Sequence, residues 1–123
     1  MLPENADAGF LWDMLESAES VVLMTRNLRY DQYSNDRKTR RAVEREIEII
    51  GEAARKVSGA FCDVHPEIPW RKIIGQRHKL AHEYAEIQDE VIWRVATIHV
   101  PELIKHLRPL VPTMRPVDPD PSS

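Results

Sequence analysis

The sequence predicts an all-α protein, and two observations carry that prediction. Apolar residues recur at helical spacing in four separate stretches, and only four of the 123 residues are glycine. A hydrophobic content of 42% with a charged content of 30% is typical of a globular chain rather than a disordered one. A chain of this length forms one domain. We therefore expect an antiparallel bundle of four to five helices joined by short connections.

The first two helices are predicted by their apolar faces. Residues 5–26 place an apolar stripe opposite acidic residues, and residues 36–58 repeat an apolar seam at alternating steps of four and three. The turn-forming residues between them predict a loop, with Ser34 or Asn35 as the N-cap of the second helix. Gly59 stands where the residue just after a helix end is expected. These stripes are typical of core rather than of a chemical site.

The last two helices are delimited by prolines and by one aspartate. Pro69 suits the first turn of a third helix, which we expect to run to about Tyr84. Asp89 is the expected N-cap of a final helix whose apolar stripe continues to Leu107. Pro101 lies inside that helix. We therefore expect a kink near His99.

Residues 1–110 are thus predicted to form one helical domain, and residues 111–123 a proline-rich tail that is extended or disordered. The single Cys62 cannot form an internal disulfide, and no signal peptide opens the chain, so we expect a reducing cytoplasm. No apolar run approaches the roughly 20 residues that span a bilayer. The formal net charge of -3 argues against indiscriminate binding of nucleic acid.

Positive charge is nevertheless concentrated in two groups of residues. The first contains Arg26, Arg29, Arg37, Lys38, Arg40, Arg41 and Arg45. The second contains Arg71, Lys72, Arg77 and Lys79. Two such patches could face one polyanion, although ordinary solvated helix faces explain the first patch at least as well.

The stretch RHKLAHEY, residues 77–84, holds the densest set of functional groups. With about 100° per residue, Arg77 falls in the middle of the apolar stripe of the third helix. A structural ion pair with a glutamate such as Glu52 explains an arginine there as well as a bound anion does. His82 lies about 140° around the helix from Arg77. The two can act on one group only if the helix loosens near its end or if a second copy supplies the partner.

Two chemistries fit the histidines of this stretch unequally. His78 and His82 have the spacing that offers two imidazoles to zinc, but no glutamate stands between them and no third ligand is evident, so we expect no metal. Cleavage of RNA by its own 2′-hydroxyl needs a base, an acid and a cation beside the phosphorus. Histidine serves as base or acid near neutral pH, and arginine binds phosphate oxygens bidentately. Tyrosine can hydrogen-bond the phosphate or hold the histidine.

The spacing Arg77-x4-His82-x-Tyr84 resembles the R-x4-H-x-Y motif of the HEPN superfamily, and residues 8–110 resemble its HepT-like branch (DUF86). The similar stretches are AVEREIEIIGEAARKVS, HPEIPWRKIIGQRHKLAHEY and VIWRVATIHVPELIKHL. The resemblance implies a helical bundle that forms a homodimer, with the two motifs facing each other in one RNA-cleaving cleft. It also implies a metal-independent endoribonuclease toxin that needs no cofactor. The implied partner is a minimal nucleotidyltransferase antitoxin, which attaches AMP to Tyr84.

The resemblance assigns a role to each motif residue. Arg77 would position and neutralise the phosphate, His82 would be the acid or base, and Tyr84 would support the site and receive AMP. The family commonly has Asn or Asp where this chain has His78, so His78 is either an auxiliary imidazole or a weakening of the site. The residues after Tyr84 also depart from the usual glycine-containing turn. The candidates for binding RNA are Arg37, Lys38, Arg40, Arg41 and Lys79.

Two other functions remain open at this point. One is a non-catalytic HEPN module that binds nucleotide, RNA or a partner protein through the same cleft. The other is a purely structural dimeric bundle, which would leave Arg77 in the apolar stripe without a purpose.

Overall fold

The computed structural model describes residues 5–82 and 89–113, and gives the backbone alone for residue 5 and residues 77–82. Its helices are α1 (Asn5–Thr25), α2 (Tyr30–Ser34), α3 (Arg37–Lys56), α4 (Gly59–Val64), α5 (Trp70–His82), α6 (Asp89–Arg94) and α7 (Val100–Leu107). A π-helical segment, Val95–His99, joins α6 to α7, and a 3-10 turn, Arg108–Leu110, follows α7. No strand occurs in the described ranges. The all-α prediction is confirmed.

Helices α1 and α3 form the centre of the bundle, with α5 packed on α3 and α7 packed on α1. The stripe predicted for α1 and the seam predicted for α3 are both buried in one core, which includes Leu11, Met14, Val21, Val43, Ile47 and Ile50. Only α4 and two turns separate the end of α3 from the start of α5. The two packed helices therefore run antiparallel, and the C-terminal end of α5 lies at the same end of the bundle as the N-terminal end of α3.

The loop predicted between the first two long helices contains the short helix α2, so that part of the prediction is wrong. The backbone N–H of Arg29 donates to Oε1 of Gln32 at 2.8 Å, which satisfies a donor at the helix start. Tyr33 is completely buried, and its ring centroid lies 5.0 Å from that of Trp93 on α6. Tertiary burial of one tyrosine thus stabilises a helix that is too short to form alone.

The predicted N-cap of α3 is also wrong, because Asp36 is the cap. Its Oδ1 accepts from the backbone N–H of Thr39 at 3.1 Å, and its Oδ2 accepts from the Thr39 hydroxyl at 2.7 Å. Ser34 and Asn35, the two candidates, both donate their side chains to the carbonyl of Asp31 and so close α2 instead.

Gly59 does not terminate α3, contrary to the prediction. The helix ends at Lys56. No described residue, glycine included, has a positive φ. Gly59 is the first residue of α4, and Ser58 is the N-cap, its Oγ accepting from the N–H of Phe61 at 3.2 Å. The same Ser58 donates its N–H and its hydroxyl to buried Asp7, at 2.9 and 2.7 Å. A side-chain cap anchored to α1 thus replaces the expected glycine stop.

The interruption that Pro101 predicts is present as the π-helical segment Val95–His99. Proline lacks an N–H, and its ring collides with the carbonyl four residues earlier in a regular helix, so a wider turn relieves both problems. The final helix begins at Asp89, so Asp89 is its first residue rather than the N-cap that was predicted. The predicted end of the third helix at Tyr84 and residues 114–123 of the predicted tail lie outside the described residues. No helix in the described part is long and apolar enough to cross a membrane.

Candidate active site

Helix α5 carries Arg77 and His82 of the motif in its last two turns. Its start is fixed by Trp70, whose indole N–H donates to the carbonyl of His65 at 3.0 Å. The backbone is helical through His82, so the separation of about 140° between Arg77 and His82 holds without a loosened helix end. The described backbone shows no loosened helix end, and the alternative, a second copy that supplies the partner residue, stays a prediction. The side chains of residues 77–82 and all of Tyr84 lie outside the description.

The face of α5 that carries its apolar stripe is turned toward the core. Trp70, Ile73 and Ile74 are half-buried and pack against the core residues, as the apolar stripe predicts. Arg77 follows them by one helical turn on the same face. The proposed structural partner of Arg77, Glu52, pairs through Oε1 with Arg55 at 2.9 Å and with Lys56 at 3.8 Å. The predicted pair between Glu52 and Arg77 stays untested, because the side chain of Arg77 is not among those described.

The basic start of α3 lies at the motif end of the bundle. The antiparallel packing of α3 and α5 indicates this position, and an ion pair supports it: Nη1 of Arg40 lies 3.0 Å from Oδ2 of Asp89, seven residues after His82. Arg37 and Lys38 are exposed there. Arg41 is also exposed and pairs with Glu44 on its own helix at 3.0 Å. Three of the four RNA-binding candidates on α3 are thus accessible beside the motif.

Arg40, the fourth candidate on α3, occupies a different environment. Its side chain is only 25% exposed, and its buried Nε has no hydrogen-bond partner within residues 5–82 and 89–113. The buried hydroxyl of Tyr33 is likewise unpartnered in that part of the chain. Burial, together with the carboxylates of Glu44 and Asp89, raises the pKa of Tyr33 far above its ordinary value, so this hydroxyl stays neutral.

The cluster of Tyr33, Arg40, Asp89 and Trp93 was not predicted from the sequence. Tyr30 adds an edge-to-face contact with Trp93 at 6.1 Å between ring centroids. These residues come from α2, α3 and α6, and no periodicity connects them. The only relevant signal in the sequence was Asp89, which was expected to cap a helix rather than to bind an arginine.

A groove of about 630 Å³ runs between α5 and the segment from α6 to α7. Its floor is apolar and is formed by residues such as Ile47, Ile50, Ile73, Val95, Val100 and Leu103. Its charged rim contains Glu67, Lys72, Arg94, His99, Glu102 and His106. Lys72 and Gln76 both line this groove. Val91 at its edge is 40% exposed.

Gly75 lies on the wall of the groove, two residues before Arg77. It is exposed in the middle of α5, and a Cβ added there would meet nothing within 4 Å. On the helix it shares a row with Arg71 and, two turns on, with His82. No contact inside the described chain explains a glycine at this position.

No group of three or more His, Cys, Asp or Glu side chains is placed to hold a metal ion among the residues whose side chains are described. His78 and His82 are not among those residues. Outside the motif, His65 is engaged structurally: its Nδ1 lies 3.1 Å from Glu67, and its ring stacks on Phe61 with centroids 4.5 Å apart.

Comparison with known proteins gives one family and several relatives. The family model described as Ribonuclease HepT-like matches residues 14–110. A protein of Methanocaldococcus jannaschii named "Putative RNase" is 33% identical over 110 residues, covering 89% of this chain and 91% of its own. A second protein of that organism with the same name is 37% identical over 98 residues, covering 80% and 90%.

A third relative comes from Thermococcus cleftensis and is named "Probable ribonuclease HepT". It is 37% identical over 94 residues, covering 76% of this chain and 86% of its own. No solved structure matches the chain. The matched range of the family model takes in α3, α5 and the whole motif.

Proposed function

Because the chain belongs to the ribonuclease HepT-like family, we propose that it is a metal-independent endoribonuclease that acts as the toxin of a toxin–antitoxin pair. Arg77, His82 and Tyr84 form its motif. The observation that carries the proposal is the position of this motif. Its helix continues unbroken through His82, at the end of the bundle where the basic start of α3 is exposed.

The chemistry follows from the residue types. A base removes the proton of an RNA 2′-hydroxyl, whose oxygen forms a bond to the adjacent phosphorus while the bond from phosphorus to the 5′-oxygen breaks. An acid returns a proton to that departing oxygen. His82 supplies the proton transfers, and the planar guanidinium of Arg77 binds the phosphate oxygens as negative charge develops on them. His78 is an auxiliary imidazole in this scheme.

The active unit in this proposal is a homodimer, and its cleft combines Arg77 of one copy with His82 of the other. The angle of about 140° between them on one helix supports this arrangement. Gly75 supports it as well, because a glycine inside an exposed helix costs about 1 kcal/mol relative to alanine. A second chain passing close to α5 gives that glycine a purpose, and the groove beside it has a rim on which both signs of charge are present. Such a rim can face its own copy without net repulsion.

The substrate is held by the exposed cations at this end of the bundle. Arg37, Lys38 and Arg41 bind the RNA backbone, and Lys79 extends the same patch from α5. Contacts of this kind are electrostatic and carry no sequence information, so affinity for RNA should fall steeply with salt. Because the chain as a whole carries a formal charge of -3, RNA should bind to this basic patch and not to the rest of the surface.

The antitoxin in this proposal is a minimal nucleotidyltransferase that attaches AMP to Tyr84. The added adenylate is a bulky anion at the place where the substrate phosphate must sit, so it repels RNA and blocks access. The test is the intact mass of the protein after incubation with ATP and the nucleotidyltransferase. We expect one adenylate on the wild type and on Tyr30→Phe, and none on Tyr84→Phe. An adenylate that persists in Tyr84→Phe would reject this target.

Cleavage itself is tested with purified protein and RNA in the presence of EDTA. We expect cleavage by the wild type and by Arg55→Ala, a surface control on the distant end of α3, and none by Arg77→Ala or His82→Ala. Undiminished cleavage by His82→Ala would defeat the mechanism. RNA binding by the wild type without any cleavage would favour a non-catalytic HEPN module instead.

A further inference from the structure

We propose that Arg40 is a positioning residue for the motif, because its guanidinium fixes Asp89 and with it the point where the chain re-enters the bundle after His82. This inference rests on the proposed ribonuclease function. The sequence suggests that Arg40 contacts the RNA phosphate directly. In this inference Arg40 instead acts through Asp89 and does not touch the RNA.

The Arg40–Asp89 pair differs from the other ion pairs of α3. It joins residues 49 positions apart at 3.0 Å, and both side chains are mostly buried, at 25% and 33% exposure. Arg41 and Arg55, by comparison, pair with glutamates three residues away on α3, and their side chains are 60% and 55% exposed. Exposed pairs within one helix add little to a structure, whereas this partly buried pair joins two elements that are distant in the sequence.

The pair lies beside buried aromatic side chains. Tyr33 from α2 is fully buried beside it and packs on Trp93 of α6 at 5.0 Å between ring centroids. The Arg40 Nε and the Tyr33 hydroxyl are both buried and unpartnered within the part of the chain that the structure describes. Beside these buried groups, a charge-assisted hydrogen bond is stronger than a neutral one, and the loss of either partner leaves a partly buried charge without its counterpart. Asp89 is therefore held firmly to α3.

The position of Asp89 matters because this residue is the first described one after His82, the last residue of α5. Helix α5 is held by its packing on α3 up to His82, and α6 begins at Asp89. Packing on α3 and the ion pair with Arg40 thus set the positions of His82 and Asp89, the described residues on either side of Tyr84 in the chain. A displacement of about 1 Å in a reacting group can lower a rate on the order of 100-fold while binding is little changed. The loss of Arg40 should therefore affect the chemical step more than the affinity for RNA.

The experiment measures the single-turnover rate constant for RNA cleavage, with the dimer in saturating excess over a short RNA. Under these conditions a smaller folded fraction does not lower the rate constant, whereas a misplaced group does. For Arg40→Ala we expect a rate constant about 10- to 100-fold lower. We expect its affinity for RNA to stay within about twofold and its dependence on salt to be unchanged.

Three further variants give the controls. Arg41→Ala removes an exposed phosphate contact, so it should show the opposite pattern: weaker binding and a salt slope reduced by about one. Arg55→Ala should behave as the wild type. The double variant Arg40→Asp, Asp89→Arg restores the ion pair with reversed charges. We expect it to recover most of the cleavage rate that is lost in the single variants Arg40→Asp and Asp89→Arg.

Two results would overturn the inference. One is an unchanged single-turnover rate in Arg40→Ala, and the other is a loss confined to affinity and salt slope, as for a phosphate contact. If the wild type does not cleave RNA at all, the proposed function fails, and amide hydrogen exchange then decides the positioning role. Faster exchange over 77–82 and 89–94 in Arg40→Ala, but not in Arg55→Ala, supports it; equal exchange rejects it.

Discussion

Replacement of Gly75 by alanine should stabilise the isolated chain and weaken the dimer. Gly75 is exposed in the middle of α5, and a Cβ added there meets nothing within 4 Å. The substitution should therefore stabilise the helix by about 1 kcal/mol, which corresponds to roughly 4 °C in Tm for a chain of this size. Gly9 in α1 has the same open surroundings, so Gly9→Ala is a matched control with the same expected gain.

The two substitutions should differ only where a second copy is involved. If the partner passes close to α5 at Gly75, an added methyl group displaces it at a cost of about 1–3 kcal/mol, as overpacking does in a protein core. The dissociation constant of the dimer would rise by roughly 5- to 150-fold. RNA cleavage should fall in step at protein concentrations near that constant. Gly9→Ala should leave both the dimer and cleavage as in the wild type.

Sedimentation velocity over a dilution series measures the dissociation constant, and circular dichroism at the lowest concentration measures the Tm of the monomer. A second copy that binds the folded chain stabilises it by mass action, so Tm depends on protein concentration. Both variants must therefore be compared with the wild type at equal concentration. A Gly75→Ala protein that is stabilised, dimerises as the wild type and cleaves RNA as the wild type would refute the reasoning. The two effects of Gly75→Ala can be separated because it raises the stability of the monomer and lowers the stability of the dimer.

Three further substitutions test how the bundle is held together. Asp7→Ala removes the acceptor of both Ser58 hydrogen bonds, so it should lower the free energy of unfolding by about 2 kcal/mol; an unchanged midpoint in urea would contradict this role. Tyr33→Phe removes a buried hydroxyl that has no partner in the described structure, so it should stabilise the protein by about 1–2 kcal/mol; a loss of stability in urea would contradict it. The Thr39 bonds lower the pKa of Asp36 from its ordinary value of 3.8, so its stabilisation is present above that pH and lost as the pH falls through the folded pKa. Asp36→Ala should therefore destabilise the protein in urea at pH 7 and do so progressively less as the pH falls below 3.8; a loss that does not change with pH would contradict the cap.

The long helices could be predicted because each one repeats an apolar residue at helical spacing. Leu11 and Met14 in α1, and Val43 and Ile47 in α3, were recognisable as core from that repeat alone, and they are buried. The angle between the motif arginine and histidine followed from the same periodicity. What depends on a single helix was therefore predictable.

The caps and the contacts between elements were not predictable in this way. Ser34, Asn35 and Asp36 are all good capping residues, and the choice between them depends on the carbonyl of Asp31, which the first two bind. The pair between Arg40 and Asp89 joins two elements that only tertiary packing brings together. An arginine in a basic run looks the same in sequence whether it faces solvent or is buried beside a tyrosine.

The central claim is that Arg77 of one copy works with His82 of the other. Co-expression of Arg77→Ala and His82→Ala chains with different tags yields a heterodimer that can be purified away from both inactive homodimers. That heterodimer has no chain with an intact motif, yet it has one composite pair in which both residues are present. We predict that it cleaves RNA at about half the wild-type rate, because one of its two pairs is complete. A heterodimer as inactive as the two homodimers would contradict the account.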